Sequence, residues 1–345
     1  MNIIKKNTNN TDVRQSNFEL LRLVSMFYIV LYHLLFFFIV KVDDSALYKS
    51  LELFLHVGVI CFVLISGYFH IRPSVRGAVK LLLPLIVFYL PLTLWEYIHG
   101  IVGVKSLFIF SKSPYWFIRT YFFLFLISPM INSFLTNNKH RYKLLAALGL
   151  VAVYMGTMHE PSLFNGKNLI LFMFVYVLGD CLRALSSKYE KWKFRWLLLA
   201  YISLNVLLIV SYTCFYDNFL GKIIWKVSYP YCSPVLILNA LLLFVVFSKL
   251  SFKSRTINYL SSSVLSIYIL HHQHFVLYTL IGPIVYHIYD ATGNQLVLFI
   301  GLCAFTILIM VACIAIDKLF KLTHLEQSLT QGVKRLCISI SHNRH

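Results

Sequence analysis

The chain has 345 residues, of which 59% are hydrophobic and only 13% charged. Soluble domains are about 45–50% apolar and about 25% charged, so this composition excludes an ordinary soluble fold and points to a polytopic membrane protein. The formal net charge is +18, from 31 Lys and Arg against 13 Asp and Glu. In a membrane chain that excess is first tested against the positions of the spans, before any nucleic-acid partner is invoked.

The first apolar run is long, is interrupted by Arg22 and ends without a small-x-small cleavage site. It reads as an uncleaved first span rather than a signal peptide. Runs near the length of about 20 residues that a bilayer requires follow along the whole chain. The expected spans are 18–40, 51–69, 78–98, 114–135, 143–158, 168–185, 195–215, 231–250, 259–282 and 294–316, the fifth being short enough to tilt or insert partly. The tail, 317–345, carries Leu322, Leu325, Leu329 and Leu336 among Lys318, Lys321, Lys334 and Arg335, a pattern that suits a helix lying on the membrane surface. No internal repeat, low-complexity block or soluble domain is evident. The seven cysteines (Cys61, Cys181, Cys214, Cys232, Cys303, Cys313 and Cys337) form no CxxC pair and read as free thiols, not as disulfides or a zinc site.

With the N-terminus in the cytoplasm, inside segments hold 22 of the 31 basic residues, among them Lys5, Lys6, Arg14, Lys188, Lys191, Lys193, Arg195 and Arg344. Outside segments hold seven: Lys41, Lys49, Lys105, Lys112, Lys167, Lys222 and Lys226. Arg22 and Arg119 fall within spans. The positive charge is therefore mostly an orientation signal, and nucleic acid is not expected as a partner. The expected fold class is all-α: a polytopic integral membrane protein of about ten transmembrane helices with both termini cytoplasmic. Its parts are a cytoplasmic segment over 1–17, a transmembrane domain over 18–316 and a cytoplasmic amphipathic tail over 317–345.

The first span, "ELLRLVSMFYIVLYHLLFFFIV", carries Glu19, Arg22 and His33. An arginine near a helix centre costs roughly 2.5–3.5 kcal/mol on insertion scales. Arg22 is about one turn in and can snorkel, and a lone histidine in a bundle is often an interhelical contact. The spacing offers another reading. Eleven residues turn through about three full turns, so Arg22 and His33 share a face about 16 Å apart along the axis. Glu19 lies within reach of Arg22. One face thus offers a cation near the cytoplasm and a proton-transfer group deeper in, which suits a ligand with an anionic head and a reactive end.

These residues form an R-x10-H pattern within "FELLRLVSMFYIVLYH". The pattern resembles the first span of acyltransferase family 3, the integral-membrane acyltransferases of bacterial surface polysaccharides. "LISGYF" at 64–69 resembles the end of that family's second span, and "YWFIRTYFFLFLISPMIN" at 115–132 its tryptophan-bearing fourth. "LSIYILH" at 265–271 resembles its late S-x-x-I-Y-[LI]-[IL]-H pattern. The resemblance implies that an acyl-CoA docks from the cytoplasm, that its acyl group reaches His33, and that an acceptor hydroxyl on the outer side receives it. Arg22 would then be a donor-binding cation. A neutral imidazole is a suitable general base or a covalent acyl carrier, and both roles stay open.

Arg72, Arg76 and Lys80 form a basic stripe after the second span, fit either for CoA phosphates or for ordinary positive-inside anchoring. The family pattern has R-x-x-R or R-R here, whereas this chain has R-x3-R. Arg119, following Trp116, either orients substrate or snorkels outward. His56, at a depth similar to His33, and His271, with His272 and His274, are further candidates; Glu96 is the acidic residue placed near that depth. No metal is expected, since such sites need several convergent ligands. Ser66 and Gly67 suit close helix packing more than chemistry.

The sequence-level expectation is a membrane O-acyltransferase of the bacterial cytoplasmic membrane. It would transfer an acetyl group from acetyl-CoA (or another acyl group from its CoA ester) to a glycan acceptor, free or lipid-linked, among membrane lipids. No extracytoplasmic hydrolase-like domain is expected on this chain, so acceptor chemistry falls to the membrane domain or a separate partner. The alternatives are a transporter of an acylated or anionic substrate, which calls for broken helices in matching halves, and an assembly component of an export system, which leaves the Arg22–His33 face unexplained.

Overall fold

The computed structural model describes residues 15–108, 115–158 and 167–342. Lys5, Lys6, Arg14, Lys112, Asn165 and Arg344 lie outside these, as do most of the segment 1–17, the first residue of the expected fourth span, and residues 343–345 of the tail. The side chains of Leu336 and Cys337 are likewise outside what is described. Among the described residues the chain is helical and strand-free. In chain order the helices are α1 (Ser16–Val42), α2 (Ala46–Phe69), α3 (Val75–Ile98), α4 (Trp116–Leu135), α5 (Asn138–Met158), α6 (Leu169–Ala184), α7 (Phe194–Cys214), α8 (Phe219–Ser228), α9 (Pro234–Ser248), α10 (Arg255–His272), α11 (Phe275–Asp290), α12 (Gln295–Lys321) and α13 (Leu325–His342). Short polar side chains start many of them. Ser74, Asn168, Ser233, Ser254 and Asn294 each accept a hydrogen bond from a first-turn N–H of the helix that follows.

Six of these helices are long and apolar enough to cross a membrane: α1, α2, α3, α4, α7 and α12. The pair α10–α11, bent by 73°, makes a seventh if it counts as one span. The expected spans at 143–158, 168–185 and 231–250 are the helices α5, α6 and α9. They fall short by length or by apolarity, since α6 and α9 have 16 and 15 residues and α5 opens on the polar run Asn138–Lys143. The expected continuous span over 259–282 is broken at Gln273, whose backbone is extended. The break is chemically satisfied: Gln273 Oε1 accepts from Val276 N–H, and its Nε2 donates to Glu96. Helix α8 lies in what the sequence left as an outside loop.

Some of the irregular backbone lies near the candidate histidines, and α3 also turns π-helical over Leu85–Tyr89. Helix α1 turns π-helical over Leu35–Ile39, two residues after His33. Helix α2 is interrupted at His56, and α10 ends at His272. Such defects inside apolar helices persist only where neighbouring protein or a cavity satisfies the backbone, and they gather at functional sites.

Helix α2 is the hub. Of its apolar window 78% is buried, against 22% for α7. It meets α6 at backbone contact through two glycines: a Cβ at Gly67 would stand 2.0 Å from the Tyr176 carbonyl oxygen, and one at Gly179 would stand 2.3 Å from that of Leu64. Gly67 therefore serves close packing, as the sequence suggested. Near the end of α6, the buried Asp180 accepts from Arg141 Nε at 2.6 Å, Arg183 Nη2 at 2.6 Å and His70 Nε2 at 2.8 Å, tying α2, α5 and α6 together.

Candidate functional site

A cavity of about 630 Å³ opens between α1, α3, α10, α12 and the start of α13. That volume suits a small-molecule site. Along α1 it follows Glu19, Arg22, Met26 and Ile29, residues three or four apart and thus on one face. Across from α1 stand Phe62, Ser66, Phe117, Tyr121 and Tyr268. Ser66 Oγ shares a hydrogen bond of 3.0 Å with Tyr121 Oη and makes another of 2.8 Å to the Phe62 carbonyl. Arg22 therefore faces an internal cavity, and its guanidinium is bound to Glu19. Glu19 is itself fixed by Ser261, whose hydroxyl donates to Oε2 at 2.6 Å.

The polar end of this cavity is a set of matched charges. Arg22 pairs with Glu19 and Lys321 with the buried Asp317, at 2.6 Å. Ser266 also donates to Asp317, at 2.5 Å. Arg76 Nε and Lys80 Nζ stand 3.7 and 3.8 Å from Glu326 Oε1. Glu326 belongs to α13, which crosses the mouth and lines it with Leu325, Glu326 and Gln327. The turn into α13 passes through His324, which lines the mouth and has a positive φ of 53°. Four full cations thus face three carboxylates around the cavity, leaving a small positive surplus. Arg72 is exposed on the loop before α3 and is not part of the cavity wall.

Beyond this cavity lies a second, of about 20 Å³, lined by Tyr32, His33, Leu55, His56, Val59, Trp116 and Tyr231. Ile29, Phe117 and Tyr268 line both cavities and form the wall between them. The face of α1 that begins at Arg22 in the larger cavity ends at His33 in the smaller one. His33 Nδ1 lies 2.8 Å from His271 Nε2, and His271 Nδ1 lies 2.6 Å from the Ile267 carbonyl oxygen. A carbonyl only accepts, so the His271 proton is on Nδ1 and its Nε2 accepts from His33 Nδ1–H. His33 is thereby left with a bare lone pair on Nε2. His272 packs on the same ring, with centroids 4.4 Å apart.

His56 is held from the other side. Its Nδ1 donates to the Tyr229 carbonyl at 3.1 Å, and its ring packs among Tyr32, Tyr229 and Tyr231 at centroid distances of 4.4, 4.4 and 4.8 Å. Trp116 packs on Tyr231 at 5.1 Å, and the Lys167 ammonium sits over both rings, 5.7 Å from Trp116 and 5.9 Å from Tyr231. Arg119 is half-buried on α4 and lines neither cavity. Among the described residues no group of three or more His, Cys, Asp or Glu is placed to hold a metal ion.

Of the sequence candidates, Glu19, Arg22, Ser66 and Arg76 meet in the larger cavity, and His33, His56 and Trp116 in the smaller, with His271 behind His33. Sequence reasoning missed Asp317, Tyr121, Tyr268, Ser261 and Glu326. It also passed over Glu52, which is buried one turn before His56 on α2. A carboxylate in an apolar helix is a signal in itself, and Asp317 and Glu52 could have been flagged on that ground. Glu96 is buried and accepts from Gln273 and His274, so it fixes the α10–α11 break rather than entering either cavity.

No curated protein and no solved structure matches the chain. A family model, described as an acyltransferase domain, matches residues 15–315, from the start of α1 almost to the end of α12. These apolar helices and this match over most of the sequence make the chain a multi-pass membrane protein that belongs to acyltransferase family 3.

Proposed function

We propose that the protein is an O-acetyltransferase that moves an acetyl group from cytoplasmic acetyl-CoA to a hydroxyl of a cell-surface or exported polysaccharide. Its place would be the bacterial cytoplasmic membrane, with both termini inside. The observation that carries this reading is the course of one helix face: Arg22 in a large cavity with a basic mouth, and His33 eleven residues on in a small one. In this reading Arg76 and Lys80 meet the nucleotide phosphates, with Arg72 at the edge of the mouth. Arg22 holds the donor further in, and the pantetheine arm runs along Met26 and Ile29. The acyl carbon then meets His33 Nε2, and His271 fixes the His33 ring through Nδ1. The narrow wall of Ile29, Phe117 and Tyr268 favours a short acyl group. The aromatic rim of Trp116 and Tyr231, beyond His33, offers flat apolar faces to a sugar ring.

The bent α10–α11 pair is the kind of broken helix that a transporter employs. Here, however, the residue near the break, His271, is hydrogen-bonded to His33, which fits catalysis more closely than carriage.

The test is acylation of the native surface glycan in cells carrying His33→Ala or Arg22→Lys at matched membrane abundance. His33→Ala should abolish acylation. Arg22→Lys should impair it, because a point charge does not replace a guanidinium fork. Near-normal acylation by His33→Ala would overturn the assignment.

A further inference from the structure

His56 carries a feature that the reading above does not use. It is only 4% exposed, and its Nε2 is buried with no hydrogen-bond partner. Its Nδ1–H is committed to the Tyr229 carbonyl at 3.1 Å, so the neutral ring presents Nε2 as a bare acceptor. A buried polar atom without a partner is costly, and its retention calls for an explanation. His56 and His33 line the same small cavity. A volume of about 20 Å³ has room for about one water-sized group, which is the size of a single hydroxyl. Helix α2 breaks its regular winding at His56 itself.

We propose that His56 is a second catalytic base, which accepts the proton of the acceptor hydroxyl on Nε2 while His33 carries the acyl group. The proposal rests on the transferase reading above. In the first half, His33 Nε2 bonds to the thioester carbonyl carbon, the C–S bond breaks, and CoA leaves as the thiolate. The proton on His33 Nδ1 passes to His271 Nε2, which lies 2.8 Å away. His33 Nε2 is then acylated and its Nδ1 is held by the His271 N–H, so the second half needs another base. The acceptor oxygen attacks the acyl carbon and its proton moves to His56 Nε2. The C–N bond to His33 breaks, and His33 Nδ1 takes its proton back from His271. His56 then releases its proton to water, and the thiolate takes one up from water. His272 Nδ1 is also buried and unpartnered, but His272 does not line the small cavity.

The experiment uses the full chain in nanodiscs with radiolabelled acetyl-CoA, comparing His56→Asn and His33→Ala with the wild type. Asparagine keeps an N–H for the Tyr229 carbonyl and removes the base. Three readings are taken: the burst of free CoA, the labelled protein, and the discharge of that label by water or by hydroxylamine, a nucleophile that needs no base. His56→Asn should keep the CoA burst and the hydroxylamine discharge within about threefold of wild type, yet lose water discharge, and glycan acylation in cells, by about 100-fold. His33→Ala should show no burst. Wild-type water discharge in His56→Asn overturns the role of His56 alone. Loss of burst and discharge together makes His56 structural and also overturns it, and His56→Gln, which retains a side chain of similar size, must then behave the same way. A wild type that acylates the glycan but gives no CoA burst overturns the covalent step and the role of His56 with it, whereas a wild type that neither releases CoA nor acylates the glycan overturns the transferase reading instead.

Discussion

In the proposed reading, Glu326 competes with the donor's phosphates for the same cations. It reaches from α13 to within 3.7 Å of Arg76 and 3.8 Å of Lys80 at the cavity mouth. A phosphate that engages these cations must displace the carboxylate or endure it as a neighbour of like charge. The side chains of Arg76 and Lys80 are 65% and 46% exposed, so each pair is a surface contact. Such pairs contribute about 0.2–1 kcal/mol each. Glu326→Gln removes both, and should tighten acetyl-CoA binding by about 0.4–2 kcal/mol, or about 2- to 30-fold in Kd. Calorimetric titration of the nanodisc protein at low salt measures this directly. Repeated at about 1 M salt, where the screening length falls to about 3 Å, the advantage should shrink towards nothing. Arg76→Gln should weaken binding, since a charge-assisted hydrogen bond contributes about 1.5–3 kcal/mol. An unchanged Kd for Glu326→Gln at low salt would refute the idea that carboxylate and donor compete for one set of cations. A weaker Kd would mean that Glu326 supports the donor.

Three other expectations can be checked. Gly67→Ala places a methyl group 2.0 Å from the Tyr176 carbonyl oxygen, an overpacking that should cost about 1–3 kcal/mol or more and appear as a lower thermal midpoint; an unchanged midpoint would mean that α2 and α6 separate freely. Ile29→Ala and Phe117→Leu thin the wall between the cavities, and each should raise the rate with butyryl-CoA relative to acetyl-CoA; an unchanged preference would place chain-length selection elsewhere. A reporter fused at Arg195 should read cytoplasmic and one at Asn165 outside, and the reverse readings would overturn the orientation drawn from the basic residues.

The apolar runs announced most helices, because a bilayer demands about 20 consecutive apolar residues. The face shared by Arg22 and His33 was legible from spacing alone, since both belong to one helix of fixed pitch. What lay hidden depends on contacts between distant segments. His271 is 238 residues from His33, and no periodicity joins them. The break at Gln273 is set by Glu96 from another helix, so an unbroken apolar pattern gave no warning of it. The tail read as a membrane-surface helix from its own pattern, and that pattern gave no sign that Glu326 of α13 would stand beside cations of α3. Helix α5 falls short in apolarity because it opens on the polar run Asn138–Lys143, and its sequence gave no sign that Arg141 within that run would be paired with the buried Asp180.

Ile29, Phe117 and Tyr268 bear on the membrane as well as on the substrate. A bilayer that stores an ion gradient tolerates no continuous water path through its proteins. The larger cavity opens at a charged mouth, and the smaller one is lined by the imidazoles of His33 and His56. Joined, they would form a proton wire. In the proposed reading the three side chains between them would act as an airlock, handing a small carbonyl group across while keeping hydration on the two sides separate. Widening that lock for bulkier acyl groups therefore carries a liability: a variant that gains chain-length tolerance should also be the one that dissipates a pH gradient in sealed vesicles.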